Sequence, residues 1–260
     1  MKQMNEADQQ LARQAIGLLD LTLLSGDDDA DRIIALCQRA QTPFGPVAAV
    51  CVFPRFVALA RRALDILGGQ AIRVATVVNF PHGGPNVAAV VAETLEAINA
   101  GANEVDLVYP YRSLLMGDAQ SGLSMVAACR DACAGRARLK VILETGELRD
   151  PQMIRQASQD AIAAGADFLK TSTGKVLVNA TEQAVRIMLE AIAERGGLVG
   201  LKAAGGIRTF EDARTYIELA RSRFGTPWIN ADHVRLGASG LLDELLALLE
   251  CPVLPRVGEK

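Results

Sequence analysis

The segment Val47-Ala-Ala-Val-Cys-Val-Phe53 is apolar at every position and rich in valine. A strand that is apolar on both faces is typical of a parallel sheet covered by helices on each side. A half-exposed strand would instead alternate apolar and polar residues. We therefore interpret this segment as one strand of an α/β protein.

Similar apolar runs recur at intervals of about 30 residues, the length of a strand, a crossover helix and two loops. Stretches with a helical period lie between them, for example at 86–100, 152–164, 182–194 and 211–224. The pattern predicts a single-domain α/β fold over residues 1–260, a (β/α)8 TIM barrel with an extra N-terminal helix around 6–18. An open doubly wound sheet is the alternative, because the first run is short. The runs begin at Leu18, Val47, Arg73, Glu104, Arg138, Asp167, Leu198 and His233.

Helix boundaries are also marked in the sequence. Asp150, Thr181 and Thr209 are suitable N-caps, and Pro151 suits a first helical turn. Gly165 follows an alanine-rich helical stretch and is expected to end that helix.

Composition limits the class of partner. The net charge is −3, the pI is near 5.5 and half of the residues are hydrophobic. No basic run suggests binding to nucleic acid or to an anionic membrane surface, and no segment is apolar enough to span a bilayer. We therefore expect a soluble cytoplasmic protein without nucleic-acid or membrane partners. The five cysteines form no CxxC pair and are expected to be buried thiols: Cys37, Cys51, Cys129, Cys133 and Cys251.

Several charged residues interrupt runs that packing alone would fill with valine, isoleucine and leucine. Each could be held in a structural ion pair. Reactive groups of a barrel lie at the carboxyl ends of strands, so Lys170, Lys202 and Asp106 together indicate an active site. We place three of these charges, Asp20, Lys170 and Lys202, at strand ends. The other three lie within strands: Asp106, Lys140 and Glu144.

Three glycine-bearing loops follow the last three predicted strands. Glycine lets backbone N–H groups approach an anion, and a following helix N-terminus adds partial positive charge. Lys175 and Arg208 add cations, so we expect a small phosphate ester as substrate. The loops are Lys170-Thr-Ser-Thr-Gly-Lys175, Ala203-Ala-Gly-Gly-Ile-Arg208 and Gly237-Ala-Ser-Gly240.

Other catalytic chemistries lack their residues. The only histidines are His82 and His233, and neither has a second ligand at metal spacing. No Ser/His/Asp set or GxSxG elbow is present. Lysine remains as the nucleophile, and we expect neither a metal nor another cofactor.

With these residues the chain resembles the deoxyribose-phosphate aldolase family, whose members are metal-independent aldolases that form a lysine Schiff base. The resemblance extends over nearly the whole chain. It rests on Leu18-Leu-Asp-Leu-Thr22, Asn79-Phe-Pro-His-Gly83, Glu104-Val-Asp106, Glu144-Thr-Gly-Glu-Leu148, Asp167-Phe-Leu-Lys-Thr-Ser-Thr-Gly174, Gly200-Leu-Lys-Ala-Ala-Gly-Gly206 and Arg235-Leu-Gly-Ala-Ser239.

The resemblance implies reversible cleavage of 2-deoxy-D-ribose 5-phosphate to D-glyceraldehyde 3-phosphate and acetaldehyde, in deoxyribonucleoside catabolism. Lys170 would form the Schiff base, Lys202 would lower its pKa by repulsion, and Asp106 would transfer protons. The expected partners are a phosphorylated sugar, an aldehyde and a second copy of the chain in a dimer. Substrate contacts are expected at Asp20, Lys140, Thr171, Gly174, Lys175, Gly205, Gly206, Arg208, Gly237 and Ser239.

The chain departs from the family pattern at three places. Ala203 replaces a frequent proline, Gly240 replaces a frequent second serine, and the last residues contain no tyrosine. Two rival functions remain open. One is another lysine-dependent sugar-phosphate aldolase, and the other is a sugar-phosphate-binding protein without catalysis.

Overall fold

The computed structural model describes residues 5–250. Eight parallel strands form a closed barrel in which each strand pairs with its neighbours in chain order, and the last strand pairs with the first. The TIM-barrel prediction is confirmed, and the open sheet is excluded by this closure. The strands are β1 (Leu19–Leu23), β2 (Ala49–Val52), β3 (Arg73–Val78), β4 (Glu104–Val108), β5 (Arg138–Ile142), β6 (Phe168–Lys170), β7 (Gly200–Ala204) and β8 (Val234–Ala238).

Helices connect the strands and cover the barrel. The predicted N-terminal helix is present as α1 and packs against the last helix, α11. The helices are α1 (Glu6–Gly17), α2 (Ala30–Arg39), α3 (Val57–Ile66), α4 (Val87–Asn99), α5 (Tyr111–Leu115), α6 (Gln120–Cys133), α7 (Thr145–Leu148), α8 (Pro151–Ala163), α9 (Glu182–Glu194), α10 (Phe210–Phe224) and α11 (Leu241–Glu250). Within residues 5–250, no helix has the length and apolar character needed to cross a membrane.

The predicted helix caps are confirmed. Asp150 accepts a hydrogen bond from the Gln152 amide, with Pro151 as the first residue of α8. Thr181 caps α9, and Thr209 caps α10 in a reciprocal capping box with Asp212. These side chains satisfy amide groups that have no partner inside the helix.

The apolar core has two parts. The larger part lies between the strands and the surrounding helices, as expected for strands covered on both faces. The smaller part is a separate cluster formed by Leu24 just after β1, Ala49 and Cys51 on β2, and Ala75 and Val77 on β3. We call these five residues the apolar wall.

Two strand-end predictions, for Asp20 and Lys202, were wrong, and so was the placement of Glu144 within a strand. The strand β1 continues through Leu21-Thr-Leu23, so Asp20 is its second residue. Likewise β7 continues to Ala204, which puts Lys202 at its centre, and Glu144 lies beyond the end of β5. Apolar residues and threonine extend both strands past the charge. Only Lys170 is the last residue of its strand, β6.

Candidate active site

The three residues predicted to be catalytic are in direct contact. Lys170 on β6 donates a hydrogen bond from Nζ to Oδ2 of Asp106 on β4, at 2.8 Å. Lys202 donates to the same oxygen at 2.7 Å. Lys170 and Lys202 are neighbours in the register of β6 and β7. The barrel therefore brings two ammonium-bearing side chains to one carboxylate oxygen.

The environment of Lys170 favours the free amine. Its side chain is almost completely buried, and burial lowers its pKa because the ammonium ion loses hydration. The Asp106 carboxylate acts in the opposite direction, and the charge of Lys202 adds a further lowering. Burial is thus the largest cause of the lowered pKa, and the predicted repulsion by Lys202 is a smaller one. A neutral amine is the form that attacks a carbonyl.

Lys202 and Lys140 behave in the opposite way. Burial alone would lower the pKa of Lys202, but the carboxylates of Asp106 and Asp20 outweigh burial and raise it. The pKa of Lys140 is raised by Asp106 and Glu104 in the same way. These two lysines are therefore cations that hold the carboxylates in place.

The carboxylates remain ionised although they are buried. Burial would raise the pKa of Asp106, but Lys140, Lys170 and Lys202 hold it well below its usual value. The pKa of Asp20 is lowered in the same way by Lys202 and Arg235. Opposite charges at hydrogen-bond distance favour the charged form.

A cavity of about 580 Å³ opens at the carboxyl ends of the strands. Among the three catalytic candidates, Lys170 lines it, and Lys202 and Asp106 lie behind Lys170. Ser239 and Gly240 line the cavity and directly precede α11, and a helix N-terminus favours a bound anion. Seven of the predicted substrate contacts line the cavity: Gly174, Lys175, Gly205, Gly206, Arg208, Gly237 and Ser239.

Three residues predicted to contact substrate do not line this cavity. Asp20 and Lys140 are fully buried in ion pairs. The Thr171 hydroxyl bonds the backbone of Ala204, where it ties β6 to β7. Asp20 and Lys140 lie inside the barrel, below the ends of their strands. Thr171 lies between two adjacent strands. Contact of these residues with substrate remains a prediction.

The loop after β6 is held by a residue to which the sequence analysis gave no role. Glu144 accepts hydrogen bonds from the Thr173 amide at 3.1 Å and from the Thr173 hydroxyl at 2.6 Å. The same hydroxyl accepts from the Lys175 amide, and Lys175 Nζ donates to the Leu24 carbonyl at 2.7 Å. Glu144 thus fixes the cavity edge that carries Lys175. The sequence indicated Glu144 only as a charged residue next to an apolar run.

Two glycines allow this packing. A Cβ atom on Gly237 would lie 3.0 Å from Cε of Lys202 and 2.9 Å from the Ala204 Cβ. Gly205 has φ +84°, and a Cβ there would collide with the Asn179 side chain. Larger residues would displace Lys202 or the loop after β7.

The described cysteines and His82 are not part of this cavity. Four cysteines, Cys37, Cys51, Cys129 and Cys133, are free and buried as predicted, and Cys251 lies outside the described residues. His82 is exposed on the loop after β3. In the described part of the chain, no three His, Cys, Asp or Glu residues are grouped so as to hold a metal ion.

Solved structures with the same fold were found by comparison. A Toxoplasma gondii protein provisionally named a deoxyribose-phosphate aldolase is 26% identical, with a TM-score of 0.86, over 95% of this chain and 99% of that chain. A Coccidioides immitis protein with the same provisional name is 31% identical, with a TM-score of 0.77, over 90% of this chain and 86% of that chain.

A tetrameric deoxyribose phosphate aldolase from Aeropyrum pernix shares the fold at 23% identity, with a TM-score of 0.76. It aligns over 96% of this chain and 100% of that chain. The model of the DeoC/LacD family aldolases matches residues 14–242, which include every strand of the barrel and the residues around Lys170. The chain therefore belongs to the DeoC/LacD family of aldolases.

Proposed function

We propose that this aldolase cleaves 2-deoxy-D-ribose 5-phosphate reversibly to D-glyceraldehyde 3-phosphate and acetaldehyde through a Schiff base on Lys170. The observation that carries the proposal is the position of Lys170. Among the lysines of the buried charge cluster, Lys170 is the one that lines the cavity. Burial lowers the pKa of its amine. The provisional names of the structural relatives agree with this substrate.

The reaction begins when the Lys170 amine attacks C1 of the open-chain sugar. Loss of water gives a protonated imine, which accepts the electron pair of the C2–C3 bond as that bond breaks and the C3 hydroxyl gives its proton to a base. Carbons 3 to 5 leave as glyceraldehyde 3-phosphate, and carbons 1 and 2 remain as an enamine. Protonation of the enamine carbon and hydrolysis of the imine release acetaldehyde and restore the amine.

Asp106 and Lys202 are assigned the proton transfers. Their hydrogen bond of 2.7 Å and the contact of Asp106 with the Lys170 nitrogen form a relay beside the imine. Positioned acid–base groups of this kind contribute about 10²- to 10⁴-fold to rate. The phosphate is assigned to the glycine loops after β6, β7 and β8, with Lys175 and Arg208 as counter-charges.

Reductive trapping tests the proposal. The protein is incubated with acetaldehyde or deoxyribose 5-phosphate, reduced with sodium borohydride and mapped by peptide mass spectrometry. We expect a two-carbon adduct on Lys170 and no adduct in Lys170→Met, whose circular dichroism should match the wild type. An adduct on another lysine, or wild-type cleavage by Lys170→Met, would refute the assignment.

The two rival functions give different results in the same assay. An aldolase with a ketose phosphate substrate would be trapped with a larger donor and would leave acetaldehyde unreacted. A binding protein would retain the phosphate ester and form no imine. The role in deoxyribonucleoside catabolism and the homo-oligomeric state are part of the proposal, and the tetramer described above belongs to the Aeropyrum pernix protein.

A further inference from the structure

A second ion pair lies inside the barrel, away from the cavity. Arg235 on β8 donates from Nη2 to Oε1 of Glu104 at 2.7 Å and from Nη1 to Oε2 at 3.0 Å. Both side chains are completely buried, and neither lines the cavity. Arg235 also donates to the Ala231 carbonyl and lies over the Phe168 ring. The chemistry proposed above uses neither residue.

This pair closes a ring of six alternating charges. Glu104 contacts Lys140 at 2.7 Å, and Lys140 contacts Asp106 Oδ1 at 2.7 Å. Asp106 contacts Lys202, Lys202 contacts Asp20 Oδ2 at 2.5 Å, and Asp20 Oδ1 accepts from Arg235 at 2.6 Å. The ring is neutral, with three cations and three carboxylates: Arg235, Lys140, Lys202, Glu104, Asp106 and Asp20.

Lys170 is attached to this ring at Asp106 as a seventh charged group. Protonating Lys170 would give the buried cluster a net charge of +1, whereas the free amine leaves it neutral. An uncompensated charge is costly in a medium of low dielectric constant. The other ionisable groups nearby are the Cys51 thiol, Glu144 beyond β5, and Arg73, which approaches Glu104 from the solvent side at 3.4 Å.

We propose that Glu104 and Arg235 are positioning residues whose paired charges keep the ring neutral and thereby set the protonation state of Lys170. The inference rests on the proposed function in that it treats Lys170 as the nucleophile. Packing alone does not require the pair, because buried ion pairs stabilise weakly and the apolar wall fills the β2–β3 side of the same barrel without charges.

The two residues should act in opposite directions. Glu104→Gln removes a negative charge, so we expect the pKa of Lys170 to fall by about one unit. Arg235→Met removes a positive charge, so we expect it to rise by about one unit. The double variant restores neutrality and should return the pKa close to the wild-type value. A loss of packing would not produce shifts of opposite sign that cancel.

The measurement is trace acetylation with acetic anhydride as a function of pH, quantified by peptide mass at Lys170. Below the pKa, Glu104→Gln should react about ten times faster than wild type and Arg235→Met about ten times slower. The matched control is Arg73→Met, which removes an arginine from the same carboxylate. Because Arg73 is 32% exposed and screened by water, its removal should leave the titration unchanged.

Shifts of the same sign in the two single variants, no shift in either, or a double variant that fails to recover would overturn the inference. If Arg235→Met does not fold, Arg235→Lys retains the charge and should titrate as wild type, and the sign for Glu104→Gln then decides. Acetylation needs no substrate. A protein that titrates as expected but forms no imine with acetaldehyde would refute the proposed function and leave the charge ring intact.

Discussion

Lys170 and Lys202 share one carboxylate oxygen, yet their pKa values move in opposite directions. The difference lies in the number of carboxylates that each contacts. Lys202 contacts both Asp106 and Asp20, whereas Lys170 contacts Asp106 alone. One carboxylate does not compensate for the burial of Lys170, and two more than compensate for the burial of Lys202. Two identical side chains thus have different chemistry because of one additional partner.

Removal of Lys202 should make Lys170 a weaker nucleophile at neutral pH. In Lys202→Met the repulsion is lost and the negative charge of Asp106 acts more fully on Lys170. We expect the pKa governing imine formation to rise by about one to two units, and kcat/KM at neutral pH to fall by about 10- to 100-fold. The pH dependence of borohydride trapping measures this shift. Lys175→Met is the control, since it removes a cation from the cavity edge and should raise KM without moving that pKa.

The buried thiols should be unreactive in the folded protein. Burial raises the pKa of Cys37, Cys129 and Cys133 to about 11, so that little thiolate is present at neutral pH. We expect no iodoacetamide adduct on these three residues at pH 8 in the native state and complete labelling in guanidinium. Peptide mapping distinguishes the sites. Rapid native labelling at any of the three would contradict the buried placement.

At the scale of single residues, sequence patterns predicted which charges are present but not which of them pair. Glu104 and Asp106 are two positions apart in one strand, so their side chains must share a face. Arg235 is 131 residues from Glu104, and only closure of the barrel brings the two together. The pKa of Lys170 also depends on burial, which a sequence does not quantify.

At the scale of elements, the caps fix where the helices begin and therefore where the catalytic loops end. Asp212 accepts hydrogen bonds from the backbone amides of both Arg208 and Thr209 at 2.9 Å. The start of α10 is thus satisfied internally. In the loop after β7, the glycines before this cap line the cavity instead. The cap residues and the glycine positions were predictable because they depend on local geometry.

Loss of the α10 cap should destabilise the fold by a measurable amount. Thr209→Ala removes the side-chain acceptor for the Asp212 amide, and we expect the free energy of unfolding to fall by about 1 kcal/mol. Urea denaturation followed by circular dichroism measures it. Thr215→Ala in the middle of the same helix is the matched control and should be neutral or slightly stabilising, because alanine favours helix. Equal losses in both variants would show that the cap contributes nothing.

The strand ends were harder to predict than the caps. The sequence pattern predicted strand ends at Asp20 and Lys202, because each charge follows an apolar run. The barrel interior accommodates both charges within the strands, since each meets an opposite charge from a strand that is distant in sequence. This long-range compensation removes the local signal. The prediction therefore placed both residues at the cavity, whereas the structure places them in the layer behind it.

At the scale of the whole molecule, the charge cluster should govern acid stability. The pKa values of Asp20, Glu104 and Asp106 are lower in the folded protein than their ordinary values. A carboxylate with a lowered folded pKa contributes stability above its unfolded pKa, and that stability is lost as the pH falls through the folded pKa. Stability is therefore lost from about pH 4, the pKa range of carboxyl groups in the unfolded chain, and continues to be lost at lower pH.

We expect the free energy of unfolding to decrease steeply below about pH 4 and to decrease less steeply in Glu104→Gln. Glutamine at this position binds no proton on unfolding, so the variant loses one of the three linked groups. Urea unfolding at a series of pH values gives both slopes. Parallel curves for the two proteins would indicate that Glu104 has the same pKa folded and unfolded.

Four of the five residues of the apolar wall lie on β2 and β3, whereas the charge ring is carried by β1, β4, β5, β7 and β8. Shape and reactivity are consequently encoded by different parts of the chain. Substitutions among Ala49, Cys51, Ala75 and Val77 would change the packing inside the barrel without removing a member of the charge ring. The architecture is therefore modular for evolution and engineering: the apolar packing on one side of the barrel can change while the charged residues on the other strands stay in place.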